Sequence, residues 1–550
     1  MFSLNIWEIN YTFTFITFFL PMRYFWQGTS LLAVLFASQL SAQVPQVQLS
    51  NNFPEPGDGF DKILLLNNSY TAYLHFDKKA GIIVNMYDAK HKIATTDTVT
   101  GQLFDINALN DTEIDGIYEI NNQVVIFLQQ LVKYKPRLYR LILDGKTGQL
   151  VKEDQLGELP TIQHRDVVVQ DNFASHDFYV AKDPRSGYYA IATFAGGEMD
   201  RKETPGERVQ VYQYSPDHQQ IGHSTTYLPS ADYPYHGYLD MAVHNDLVYL
   251  VTAPLRIRKN PKDTACMVAV SGIHNTEVKH QLLPYTSNMQ DIHANIQYIP
   301  ATQKLVLLLT NATGKGTKTP GVAMTLSYLD AGTLEEYRHQ AVTPDQISAT
   351  YSGVPQQLLT ADDGTATLLL ENTSLFSSGN ANAWNNMHTN MNDIGIMTLD
   401  SAGAVKSGMA QIKMQVANGL YDPMFLHRRK KGQWMFRNRI QALNTTPYLS
   451  FDYLTTARGK FIIFNDYLQY LDPGGVYTDK KALRYLTDAN TVCYNSAGER
   501  MFLFGTPETY KGYYTMLGAS DFRQEKSQYV TLLITRKGET KTANIAWVQF

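Results

Sequence analysis

The chain has 550 residues, with 47 Lys and Arg against 51 Asp and Glu, a formal net charge of −4 and 18% charged residues. That low charged fraction excludes a disordered tail protein, and the small net charge argues against a general nucleic-acid binder. Two cysteines exclude a disulfide scaffold, and a prior of about 150 residues per domain predicts three or four domains before any repeat is considered.

The N-terminal region predicts export. In residues 22–42, Arg23 supplies a positive start, Leu31 to Phe36 an apolar centre, and Ser41-Ala42 small residues for cleavage, which makes Gln43 the expected mature N-terminus. The apolar centre falls short of the roughly 20 residues that span a bilayer. Residues 1–42 are therefore read as a signal region with its true start at Met22. An added membrane anchor through Phe13 to Leu20 is the alternative, weakened by Asn10, Thr12, Thr14 and Thr17. The Ser-Ala-Gln ending resembles that of exported Bacteroidota proteins, which implies the periplasm or the cell exterior. Residues 43–57 read as a linker.

A repeat occupies the rest. A polar residue followed by a small or polar one, at the start of a strand, recurs as Asp58-Gly59, Asp115-Gly116, His176-Asp177, His236-Gly237, His293-Ala294, Ser352-Gly353 and Asp488-Ala489, with Tyr421-Asp422 a degenerate copy. Two apolar runs around a tight polar turn follow most copies, as in 239–253, 296–311, 357–372 and 491–505. Second hairpins follow at 138–154, 322–340 and 394–408, and 529–550 ends the chain in the same way. Two hairpins per unit make four antiparallel strands, a to d, and repetition of such units is the pattern of a β-propeller. The fold class is thus all-β, a single propeller over 58–550 with eight four-stranded blades, or seven as the alternative. Residues 424–439 and 448–466 are expected to supply blade seven, and 491–505 to open blade eight. This pattern resembles the β-propeller superfamily, in particular exported Bacteroidota-type propeller proteins, while WD, kelch and Asp-box signatures are not evident. The stretch 143–151 also resembles the strand turn of quinoprotein-type propellers, but those repeat tryptophans across blades and this chain has 5.

In a propeller, a–b and c–d turns share one face, and b–c loops and d-to-a crossings share the other. The b–c connections read as long at 195–208, 253–266, 310–321, 371–393 and 505–527, so the loop-rich face is the expected functional one. Around its channel mouth, His176, His236 and His293 form a candidate metal site of three imidazoles with an open position. The competing reading is a polar residue bonding its own turn. Tyr233, Tyr235, His236 and Tyr238 form an aromatic crossing suited to sugar rings or peptides, or to packing on the blade below. Trp384 and His388 stand in the Asn-rich stretch 377–393, and Arg256 and Arg258 mark a positive loop, each alternatively a solvated surface. Cys266 and Cys493 read as small core residues in blades four and eight, too far apart to bond.

No HExxH, GxSxG or Walker motif is present. The expected function is therefore an exported, non-enzymatic binding protein. Its loop-rich face takes a glycan or protein partner, without cofactor or nucleic acid, as a monomer with no integral membrane segment in the mature chain. The alternative is a hydrolase or lyase with a channel-mouth histidine site, with or without a metal.

Overall fold

The computed structural model describes residues 45–57, 59–77, 79–106, 112–161, 169–170, 173–174, 177–195, 209–226, 235–256, 265–287, 292–313, 321–377, 387–418, 432–433, 446–467, 483, 486, 489–505 and 511–550. The signal region and its cleavage site lie outside them. Among the described residues no helix is long and apolar enough to cross a membrane.

Val47–Phe550 form one compact unit. It contains eight four-stranded antiparallel blades, over 59–99, 112–158, 177–225, 235–287, 292–342, 354–411, 452–501, and 511–549 completed by 46–54. The first strand of each blade is its inner strand. Those of blades four and five, and of blades one and eight, make the most extensive inner-strand contacts.

The strands form because both of their faces are wanted. In blade two, Val124, Ile126 and Leu128 pack toward blade one, while Val125 and Phe127 between them pack toward blade three. A strand rotates successive side chains to opposite faces, so a run that is apolar throughout serves two neighbours. Eight apolar clusters result, one at each blade junction. The c–d turns have their own repeated device. The carboxylates of Asp88, Asp144, Asp330 and Asp400 and the amide oxygen of Asn495 each accept backbone N–H groups from the turn that follows, at 2.8–3.0 Å. These bonds hold the Asp88, Asp144 and Asp330 carboxyls below the usual range.

The ring closes through the two ends of the chain. Gln46–Leu49 and Phe53–Pro54, in the stretch expected as a linker, pair with Thr540–Gln549 and form the outer edge of blade eight. Ser50 N donates to Ile545 O at 2.9 Å, Ile545 N to Ser50 Oγ at 2.9 Å, and Asn544 Nδ2 to Ser50 O at 2.8 Å. On the inner side, Asp521 accepts from Leu65 N at 2.8 Å and Arg523 donates to the carbonyls of Leu66 and Leu65 at 2.9 and 2.5 Å. Lys62 Nζ donates to Ser520 O. Trp547 of blade eight donates Nε1 to Thr71 Oγ1 of blade one at 3.0 Å and stacks on His91.

Two assignments change. Thr491 to Arg500 lies in the c–d half of blade seven, not the a–b half of blade eight, because Asp452–Thr456 and Gly459–Asp466 already supply strands a and b. Lys511–Arg523 is then the inner strand of blade eight, where 505–527 was expected to be a loop. Cys493 accordingly sits in blade seven; it is buried and free, and burial pushes its thiol pKa up. Cys266 lies on strand c of blade four, opposite Leu255. Of 424–439, only Gly432–Gln433 is described, and it belongs to blade two's sheet, not to blade seven.

A chain beginning at Glu55 is expected to lose the ladder bonds of 46–54. At about 1 kcal/mol for each of several bonds, its unfolding free energy should fall by about 3–6 kcal/mol relative to a chain beginning at Gln43. Urea denaturation followed by tryptophan fluorescence measures this, and an unchanged midpoint would refute the closure role.

Candidate functional site: the central channel and its two mouths

The eight inner strands enclose a channel of about 670 Å³. Its wall carries aromatic rings from Phe60, Tyr118, Tyr238 and Tyr298, with charged groups from Lys62, Lys182, Asp183, Arg185, Asp240, Asp452 and Asp521. Most of the carboxylates tie blades together. Asp240 Oδ2 of blade four accepts from Asn295 Nδ2 at 3.1 Å and Ile296 N at 2.9 Å, both in blade five. Asp452 Oδ2 of blade seven accepts from Tyr529 Oη of blade eight at 2.8 Å, and Tyr529 in turn contacts Ser520 Oγ at 2.9 Å. Asp183 Oδ2 accepts from Asn245 N of blade four at 2.9 Å and Ser186 Oγ at 2.5 Å, and its Oδ1 from Arg185 N at 2.9 Å.

The two mouths differ. At the turn side, the a–b hairpins are short, and Arg185 of blade three is paired with Asp362 of blade six. At the loop side, the long b–c connections are 195–208, 257–264, 314–320, 378–386 and 467–489, in blades three to seven. In blades one, two and eight the same connections are only two or three residues long, at 78–80, 133–134 and 538–539. The asymmetry is therefore present, although two of its members change: 505–527 drops out and 467–489 enters. The blade-six loop also shrinks, because strands Ala366–Ser377 and Met387–Leu399 extend into it.

The loop side carries an insertion between blades six and seven. Gln415–Asn418 adds to strand c of blade six, and Gly432–Gln433 pairs with Ile114 and Glu113 on the inner strand of blade two. The insertion starts from a fully buried polar knot. Lys413 Nζ pairs with Glu371 Oε1 at 2.7 Å and donates to Met391 O at 2.5 Å, while Ser450 Oγ donates to Glu371 Oε2 at 2.9 Å. Gln415 donates to Asn465 O at 2.7 Å and accepts from Ser450 N at 3.0 Å. Asp393 accepts from Lys413 N at 3.3 Å, and burial raises its carboxyl pKa. Asp466, fully buried, has its carboxyl pushed up to about 7 by desolvation, against the opposing pull of Tyr467 N–H and Lys413.

The sequence-nominated residues do not converge as one visible cluster. His176, Tyr233, Arg258 and Trp384 lie outside the described residues. Tyr235 and Arg256 stand at the ends of blade-four strands, Tyr235 opposite Leu255 and Arg256 opposite Ala265. Tyr238 sits on the inner strand, stacked on Tyr179 of blade three at 3.7 Å and edge-on to Phe194. His388 stands in a continuous ladder, opposite Phe376 on one side and Asn418 on the other. His236 and His293 are both half-buried on inner strands, where His236 opposes Pro254 and His293 opposes Thr310. A bulge lies between Tyr238 and Asp240 on the His236 strand. Among the described residues no three His, Cys, Asp or Glu side chains form a metal-holding group. Sequence reading missed Lys182, Arg185, Asp362 and Lys413. Their one signal was a charged residue at or beyond the end of an apolar strand, which a solvated turn gives equally well.

With strand pairing and channel on the page, the class is a β-propeller. No family model and no curated protein matches the chain. Among solved structures it is similar to prolyl oligopeptidase B from Galerina marginata, at 9% identity and TM-score 0.39, over 94% of this chain and 58% of that one. It is also similar to a polysaccharide lyase, at 8% identity and TM-score 0.35, over 79% and 89% of the two chains. The chain thus spans little more than half the length of the oligopeptidase. At these values the strand pairing, not the likeness, carries the fold assignment.

Two outcomes are expected of the buried knot. Lys413→Met leaves Glu371 buried without its cation and should cost about 3–5 kcal/mol, while the Lys413→Met, Glu371→Met double variant should recover most of that loss. Equal destabilisation of both in urea titrations would exclude coupling. Asp466 is protonated in the fold up to about pH 7 but only to about pH 4 when unfolded. Its favourable contribution is therefore full below about pH 4 and is lost as pH rises through about 7. The urea midpoint should fall between pH 5 and pH 8, and fall less in Asp466→Asn; parallel profiles would refute the assignment.

Proposed function

We propose that the protein is an exported, non-enzymatic binding protein that presents the loop-rich face of its propeller to a glycan or protein partner. The observation that carries this reading is the one-sided loop extension: blades three to seven have long b–c connections, while every described a–b and c–d turn is short. A rigid ring that lengthens its loops on one face offers an adaptable surface on a fixed frame. The residues of 378–386, Ser-Gly-Asn-Ala-Asn-Ala-Trp-Asn-Asn, supply amides and an indole, the groups that recognise neutral polar ligands. Asp183, Asp240 and Asp452 each hold hydrogen bonds that join one blade to the next, a role that fits a rigid frame for binding.

Deleting 378–386 together with Tyr233→Ala and Tyr235→Ala should reduce retention on an immobilised glycan panel by at least about tenfold, with circular dichroism unchanged. Elemental analysis of the purified protein and a hydrolysis assay on the same glycans accompany it. Unaltered retention by the variant sinks the loop-face reading, and turnover abolished by His236→Ala or His293→Ala replaces it with an enzyme.

A further inference from the structure

We propose that the turn-side end of the channel is a binding site for a small organic anion carrying a flat ring, received by the ammonium of Lys182. This site lies at the opposite end from the loop face and does not depend on the reading above.

Lys182 ends the inner strand Asp177–Lys182 of blade three and contributes to the channel wall. Its ammonium has three donors, and the hydrogen bond it makes is to the carbonyl of Asp183 at 2.8 Å. The charged groups around it come from blades two, three and eight, and each already holds hydrogen bonds of its own. Asp183 is spent on its own turn and on Asn245 N, as described above. Glu119 of blade two accepts from Asn67 Nδ2 and Asn122 N, both at 2.9 Å. Asp521 of blade eight accepts from Leu65 N, and Arg523 gives its donors to the carbonyls of Leu65 and Leu66. Burial depresses the Lys182 pKa despite the opposing pull of Glu119, Asp183 and Asp521. The desolvation cost of this cation is therefore not repaid by its protein neighbours, and an anion entering the channel would repay it.

The surroundings define the rest of the ligand. Tyr118 and Tyr298 lie near the turn-side ends of their inner strands and line the same channel, so a flat ring finds aromatic walls at the same end as the charge. His244 packs against Tyr298 with ring centroids 4.4 Å apart and lies 3.8 Å from Asp183, adding a polar edge at the same end. A volume of about 670 Å³ is that of a small-molecule site. The exposed Arg185–Asp362 pair spans this mouth, and an exposed pair opens at little cost, so it admits a ligand without unfolding a blade.

The test is calorimetric titration of the full-length protein with naphthalene-1-sulfonate and with its uncharged counterpart 1-naphthylmethanol. The wild type should bind the sulfonate with one-to-one stoichiometry and more tightly than the alcohol. Lys182→Met should weaken the sulfonate by at least about tenfold, the loss expected for one charge-assisted hydrogen bond. Lys182→Arg, which keeps the charge, should stay within about threefold of wild type and controls for folding. Failure of the wild type to bind the sulfonate, equal affinity for sulfonate and alcohol, or unchanged binding by Lys182→Met would each overturn the proposal.

Discussion

Every blade is a sheet with two apolar faces, and a sheet of that kind has no stable existence except between two others. All else in the structure follows from this. Leu64 and Leu66 look toward blade two, while Ile63 and Leu65 on the same strand look toward blade eight. The hydrophobic effect thus acts at eight junctions of similar kind and not in one central core. The centre of the ring is consequently left to side chains that packing does not claim, and the polar groups of the channel occupy that space. Closing the ring is what protects the last two faces, which explains why the closure at blades eight and one is reinforced by backbone pairing, by Asp521 and Arg523, and by Trp547.

Carboxylates are the second organising element. They act at blade junctions as acceptors for backbone and amide donors, and in the c–d turns they accept further N–H groups beside the turn's own backbone bonds. An acidic residue on an inner strand of this protein is therefore primarily a rivet. The exceptions are informative. Glu371, Asp393 and Asp466 surround a single buried cation, and the resulting mismatch is relieved by holding a proton on Asp466. That knot fixes the start of the insertion and leaves the loop side of the channel with a different construction from the turn side.

The architecture was legible in the primary structure because its signals are local and repeated. Apolar runs too long to be one-faced, separated by turn residues at a regular interval, identify four-stranded units whatever the identity of the residues. Phase was less legible. The hairpin through Cys493 has the same composition whether it forms the inner or outer half of a blade, so only pairing with Gly459–Asp466 decides. The completion of blade eight by 46–54 was invisible for another reason, since a short strand recruited from the far end carries no pattern of its own. For the channel, the pattern put His236 and His293 on inner strands, but which way a side chain points there depends on local bulges such as that between Tyr238 and Asp240, which leave no trace in the sequence. Lys182 was missed because its position at a strand end is compatible with solvent, and its surroundings come from other blades.

The bonds between Ser50 and the strand containing Asn544 and Ile545 join residues separated by 494 and 495 positions along the chain. The strand that completes blade eight is thus made long before its partner. No intermediate of synthesis that lacks Thr540–Gln549 holds a finished ring, however many of its blades have already paired internally. The first blade must wait with one apolar face uncovered until the final strands arrive, which exposes it to non-native association during that interval. So distant a pairing also places the closing step late and makes it slow in folding.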